Sequence, residues 1–222
     1  MINVIYEDNH LLVVSKPVNM PVQEDESGDP DLLNCLKQYL KEKYNKPGNV
    51  YLGLVHRLDR PVGGIMVFAR TSKAAARLSK MISDHENFQK TYLAVVEGTP
   101  DKPKATLTDY LIKNTKTNTV TVTSPDKGKK AVLDYEIMET ANNLTLLKIL
   151  LHTGRSHQIR VQLAHNHTPI YGDQRYNPKA KAHTQIALWA YRLSFEHPVT
   201  KEKLTFVSQP DNTDPWDRFK TI

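Results

Sequence analysis

What most constrains this chain is how its apolar residues are grouped. They fall in short runs, each closed by polar or turn-forming residues, and such runs read as strands. QKTYLAVVEG alternates cleanly, setting Tyr92, Ala94 and Val96 on one face and Thr91, Leu93 and Val95 on the other. VIY and LLVVSKP flank a polar EDNH turn and predict paired strands, with Pro17 ending regular pairing. GIMVFAR is a continuous apolar run of strand length, and AVLDYEIM and LTLLKILLH continue the series. Helical spacing is rarer. DPDLLNCLKQYLKEKY offers Asp29 as N-cap and Pro30 at the first helical position, with Leu32, Leu33, Leu36 and Leu40 on one stripe. TSKAAARLSKMIS has a Thr/Ser start followed by Ala, Leu and Met at helical spacing. TGRSHQIRVQLAHNH predicts a turn feeding a helix capped by Ser156, with Ile159 and Leu163 one turn apart. Hairpins with a few helices predict an α+β fold with a largely antiparallel sheet, not alternating βαβ units.

At 222 residues, one domain spanning 1–222 with a sizeable core is expected, organised as two lobes. An apolar fraction of 39% beside 24% charged residues suits a soluble protein, and no apolar run approaches the roughly 20 residues of a membrane span. The amino terminus lacks the basic-then-apolar layout of a secretory signal, and the single cysteine, Cys35, cannot form an internal disulfide, so a cytoplasmic location is expected. A formal charge of +6 makes a polyanion partner plausible. Between Asp101 and Lys130 seven lysines face three aspartates around TVTVT and the turn SPDKGKK, which predicts an exposed basic hairpin. That hairpin is either a solvated edge guarded by lysine or a surface for phosphate.

The chemistry concentrates in LVHRLDRPVGGIMVFART. Asp59 stands among Arg57, Arg60 and Arg70, with His56 before it and Gly63-Gly64 after it. Arg60 precedes Pro61 and is therefore biased away from helix, so Arg57 and Asp59 belong to an extended or turn segment. A carboxylate on such a segment is a structural ion pair, a base or a nucleophile, and a nearby arginine would keep it ionised.

HRLDRPVGG resembles the HRLD motif of the RluA-type RNA pseudouridine synthases, and three further segments match that family in order: SKPVNMPV, KTYLAVVEG and HTGRSHQIRVQLAHNHTPIYGD. A lone HRLD is weak, but four ordered motifs with GRSHQIR among them are specific, and they span Ser15 to Asp173. The resemblance implies the pseudouridine synthase fold, a mostly antiparallel sheet in two lobes with the active-site cleft between them. It implies that Asp59 is the catalytic aspartate acting at the ribose of a flipped-out uridine, Tyr92 the tyrosine against the uracil, and Arg155 the basic partner of Asp59. Arg57 and His56 would fill the space the base leaves or contact the RNA backbone. The implied partner is ribosomal or transfer RNA, with no cofactor, no metal, no membrane and no obligatory protein partner; the expected state is a monomer. The chain begins directly in catalytic-domain sequence, so the small S4-like RNA-binding domain of many relatives is expected to be absent.

Three departures stand out. Val62-Gly63-Gly64 replaces the usual Thr-Ser-Gly, removing two hydroxyls beside the loop. Asn19 stands where relatives often have Gly, a mild change since Asn tolerates a left-handed backbone. Gln162 replaces a frequent His, which puts a contact near RNA in question. A noncatalytic RNA-binding protein is the main alternative. An N-glycosidase shares the early chemistry, and a metal-dependent nuclease would use His152, His157, His165 and His167, whose spacing fits no zinc pattern.

Overall fold

The computed structural model describes residues 2–84 and 87–222. In chain order its elements are β1 (Asn3–Glu7), β2 (Leu11–Lys16), α1 (Leu32–Lys43), β3 (Gly53–Leu54), β4 (Gly63–Ala69), α2 (Ser72–Asp84), β5 (Phe88–Glu97), β6 (Lys104–Asn114), β7 (Thr119–Thr123), β8 (Lys129–Ala141), β9 (Leu144–Leu151), α3 (Gln158–His165), β10 (Leu188–Glu196) and β11 (Lys203–Val207). They form two compact units: Met1–Gln89 with Arg192–Ser208, and Lys90–Tyr191 with Gln209–Ile222. The strands outnumber the helices as the apolar runs predict, and the architecture is α+β.

In the first unit β1 lies antiparallel to β2, and β2 to β4, from Leu11 opposite Ala69 to Lys16 opposite Gly64. β3 pairs with β4, and β11 with the Arg192–Glu196 part of β10. Leu11 to Val14 and Ile65 to Ala69 are completely buried. Burial on both faces is why GIMVFAR shows no alternation. Helix α1 turns Leu32, Leu36 and Leu40 inward, each worth about 2 kcal/mol of burial. Its cap differs from expectation: Asp31, not Asp29, accepts from the Asn34 N–H at 3.0 Å, and Pro30 lies outside the helix. Asp29 instead takes the guanidinium of Arg60, a long-range partner that local spacing cannot reveal. The Thr/Ser start of α2 holds, with Thr71 Oγ1 accepting from the Ala74 N–H at 3.2 Å.

In the second unit the antiparallel neighbours run β5, β9, β8, β6, β7. The alternation of β5 does not separate an inner from an outer face, because Lys90 through Val96 are all buried. The lysine-rich hairpin forms as β6 and β7, seated on a small apolar cluster of Leu111, Val120, Ala131 and Val161. Ser156 does not cap α3. His157 occupies the cap position in a left-handed conformation (φ 50°) with no side-chain cap, and the Gln158 side chain orders the turn before it. None of the described helices is long and apolar enough to cross a membrane.

Candidate active site

Asp59 lies on the loop between β3 and β4 of the first unit, half-buried between exposed Arg57 and half-buried Arg60. The loop is set from both ends. The Val62 N–H donates to the Asp59 carbonyl at 3.0 Å, closing a turn, and Gly64 follows at φ 116°, a conformation that a residue with a Cβ rarely adopts. Upstream, His56 Nε2 accepts from the Val67 N–H at 3.1 Å, and its ring meets Phe88 edge-on at 6.0 Å. His56 therefore fastens the loop to β4 through a nitrogen that carries no proton. Val62 is 2% exposed, so its side chain packs into the interior beside the loop.

A lysine that sequence reasoning left without a role completes this loop. Lys16, at the end of β2, is fully buried, and its Nζ donates to the carbonyls of Pro17 (2.9 Å), Met20 (2.7 Å) and Arg60 (3.0 Å). Burial pulls its ammonium down to about 7; the negative charge of Asp59 resists the fall and Arg60 adds to it. Lys16 thus ties the residue after Asp59 to the segment after β2 and places a cation in the field of the carboxylate. Asn19, within that segment, adopts the left-handed conformation its identity allows (φ 60°). The available signal was a lysine at the end of the buried strand LLVVSK, directly before a proline.

Two of the arginines near Asp59 in sequence have acidic partners of their own. Arg60 bonds Ser27 at 2.9 Å and pairs with Asp29 and, at 3.6 Å, Asp25. Arg70 pairs with Glu7 at 2.9 Å and also bonds the Asp8 carbonyl. Arg57 is exposed, with no hydrogen bond or ion pair to the described residues, and presents its charge to solvent.

The second unit carries Tyr92 and Arg155. Tyr92 sits opposite Ile149 on β5 and is 8% exposed. Arg155 lies in the turn between β9 and α3, exposed, with its Nε donating to the Lys130 carbonyl at 3.0 Å. The turn is held by a buried amide relay. Gln158 Oε1 accepts from the Arg155 N–H (3.0 Å) and from Thr153 Oγ1 (2.8 Å), while Gln158 Nε2 donates to the Val132 carbonyl and to Gln162 Oε1. Gln162, fully buried, passes the relay to Asp109 at 2.8 Å and to the Ala131 carbonyl. It is a core residue supporting the turn, not a surface contact. Arg160 pairs bidentately with Asp173 (2.8 and 2.7 Å), nearly sealed from solvent, and stands over the Tyr176 ring. Three of the four histidines considered as metal ligands have separate partners: His152 bonds Asp134, His157 bonds Tyr176, and His165 lies 3.8 Å from Asp109. Exposed Lys127, Lys129 and Lys130 lead into β8 next to this turn, so the Lys130 carbonyl that Arg155 holds joins the basic stretch to the TGRSHQ segment.

Comparison with known proteins bears on these elements together. A family model described as RNA pseudouridylate synthase matches residues 10–165. The chain is 36% identical to a ribosomal large subunit pseudouridine synthase D of Xanthomonas campestris over 91% of its own length and 64% of the relative's, so it spans slightly under two thirds of that protein. It is 30% identical to a tRNA pseudouridine synthase C of Pasteurella multocida, covering 95% of this chain and 92% of the relative. Its fold is shared with the human RNA pseudouridylate synthase domain containing 4, at a TM-score of 0.80 and 20% identity, covering 94% of this chain and 89% of the other.

Proposed function

This chain belongs to the RNA pseudouridylate synthase family, among its RluA-type members, and on that premise we propose that it isomerises specific uridines of ribosomal or transfer RNA to pseudouridine, with Asp59 as the essential catalytic residue. The observation that carries the reading is the built loop of HRLDRPVGG: a half-buried carboxylate on a turn fixed by Gly64, His56 and buried Lys16.

The reaction must break the bond from ribose C1′ to uracil N1, turn the base, and bond C5 to C1′ without releasing it. Positive charge develops on the sugar as the first bond breaks, and an ionised carboxylate stabilises it. Asp59 supplies that group at the ribose, a role that attack at C1′ and proton removal at C2′ would both satisfy. Lys16 keeps the loop in place and sets its side-chain nitrogen within electrostatic reach of Asp59. The resemblance assigns Tyr92 to the uracil, its ring packing on the base and its hydroxyl helping remove the C5 proton, and Arg155 to support of the carboxylate. A paired or stacked uridine must first leave its stack, at roughly a few kcal/mol, and phosphate contacts from exposed lysines such as Lys127, Lys129 and Lys130 offset this. Exposed Arg57, two residues before Asp59, contacts the RNA in this reading.

The test is RNA labelled with tritium at uridine C5. Tritium release with an intact RNA chain and no free uracil, lost in Asp59→Ala, is the expected result. No release from any cellular RNA would remove the activity from this protein, and free uracil would replace it with glycosidase chemistry.

A further inference from the structure

Lys90 is a buried cation that the proposed reaction leaves unused. It precedes Tyr92 by two positions on β5, so both side chains leave the same face of the strand. Lys90 is 7% exposed, and its Nζ lies against the turn that carries Arg155: a Cβ on Gly154 would stand 3.2 Å from it. The glycine therefore leaves open the space over the ammonium. Three cations are buried among the described residues, and the other two are satisfied: Lys16 by three carbonyls and Arg160 by the two oxygens of Asp173. The Lys90 side chain has neither a hydrogen bond nor an ion pair to the described residues. Burial alone depresses its pKa, with no carboxylate nearby to offset it. Its stem is buried while its nitrogen keeps some access to solvent beside exposed Gly154, and a methionine of similar length would fill the same space without the cost of a partly desolvated charge. A charge kept in such a place is explained if the anion that completes it arrives from outside the protein.

We propose that Lys90 is a further substrate-contacting residue, whose ammonium receives an anionic oxygen of the target nucleotide on the face of β5 that Tyr92 shares. The inference rests on the proposed synthase function. Two sources supply such an oxygen. One is a phosphate, anionic from the moment RNA binds. The other is a uracil carbonyl: when C1′–N1 breaks, the electron pair stays with N1 and spreads to the carbonyl oxygens; it forms the new bond as C5 joins C1′, after which the C5 proton passes to solvent and N1 takes up a proton. Lysine serves either as a point charge.

The experiment uses the full chain with unmodified large-subunit ribosomal RNA and transfer RNA transcripts carrying tritium at uridine C5. It measures single-turnover release at saturating enzyme and affinity across a salt series. Lys90→Met is expected to lose about tenfold or more in rate or in affinity, while Lys90→Arg stays within about threefold and the melting temperature of Lys90→Met matches or exceeds that of the wild type. A phosphate source lowers affinity and flattens the salt slope by about 0.7–0.9, whereas a uracil source lowers only the rate. Wild-type rate, affinity and slope in Lys90→Met overturn the proposal, as does an arginine variant no better than methionine. If Lys90→Met does not fold, Lys90→Gln is measured in the same way. If the wild type releases no tritium from either RNA, the synthase reading fails separately; the binding arm still decides for Lys90, and unchanged affinity and slope then overturn it.

Discussion

Replacing Lys16 with methionine separates the charge of this buried lysine from its packing, and the structure sets how the result must depend on pH. In the folded protein the ammonium is pulled down to about 7, whereas an unfolded chain holds lysine near its ordinary value of 10.5. Between these values the unfolded state binds more protons than the native state, so wild-type stability rises with pH across this window. Integrating that difference from pH 7 to pH 9 gives a gain of about 2 kcal/mol attributable to Lys16, and the gain is absent from Lys16→Met. The carbonyls of Pro17, Met20 and Arg60 lose their donor in the variant, at about 1 kcal/mol for each hydrogen bond. The penalty of the substitution therefore grows from pH 7 to pH 9. Urea unfolding of both proteins at pH 7, 8 and 9 reads this directly, and other titrating groups cancel in the difference. A penalty constant within about 0.5 kcal/mol over that range would refute the assignment of Lys16 as a desolvated cation.

Three further outcomes follow from the geometry. Changing Lys127, Lys129 and Lys130 together to alanine is expected to weaken RNA binding and reduce the slope of log affinity against log salt by about 0.7–0.9 for each phosphate no longer neutralised; unchanged binding would remove the lysine-rich turn between β7 and β8 from the RNA-binding surface. Gln162→Leu removes one of the two acceptors of Gln158 Nε2 and the amide donor to the Ala131 carbonyl and to Asp109, and is expected to lower stability by about 2–4 kcal/mol in urea unfolding, against a near-neutral effect if the side chain were a surface contact. Val62→Thr adds the hydroxyl that the family resemblance leads one to expect, but at a site only 2% exposed; a loss of about 1–3 kcal/mol without a gain in tritium release is expected, and a faster enzyme would show that the missing hydroxyl limits catalysis.

Much of the candidate site was legible in the order of residues. Strands such as GIMVFAR and QKTYLAVVEG are local periodicities, the motif around Asp59 is a local backbone pattern, and the left-handed turn at Asn19 follows from one side chain. Partner choice was not legible, because it depends on which distant segments strand pairing brings together. Pairing Lys16 with Gly64 across β2 and β4 buries the lysine beside the loop of Asp59, while Arg60 and Arg70, its neighbours in sequence, turn to Asp29 and Glu7. The same long-range logic moves the cap of α1 to Asp31, gives the turn before α3 to Gln158 rather than Ser156, and draws Gln162 inward. Contiguous residues suffice to specify the α+β elements, the family and the loop that carries the carboxylate, since each is a local pattern of side chains along the backbone. Which cation stands in the field of Asp59, and which buried ammonium is left waiting for an anion, is settled only on folding, because desolvation is a property of everything packed around a group.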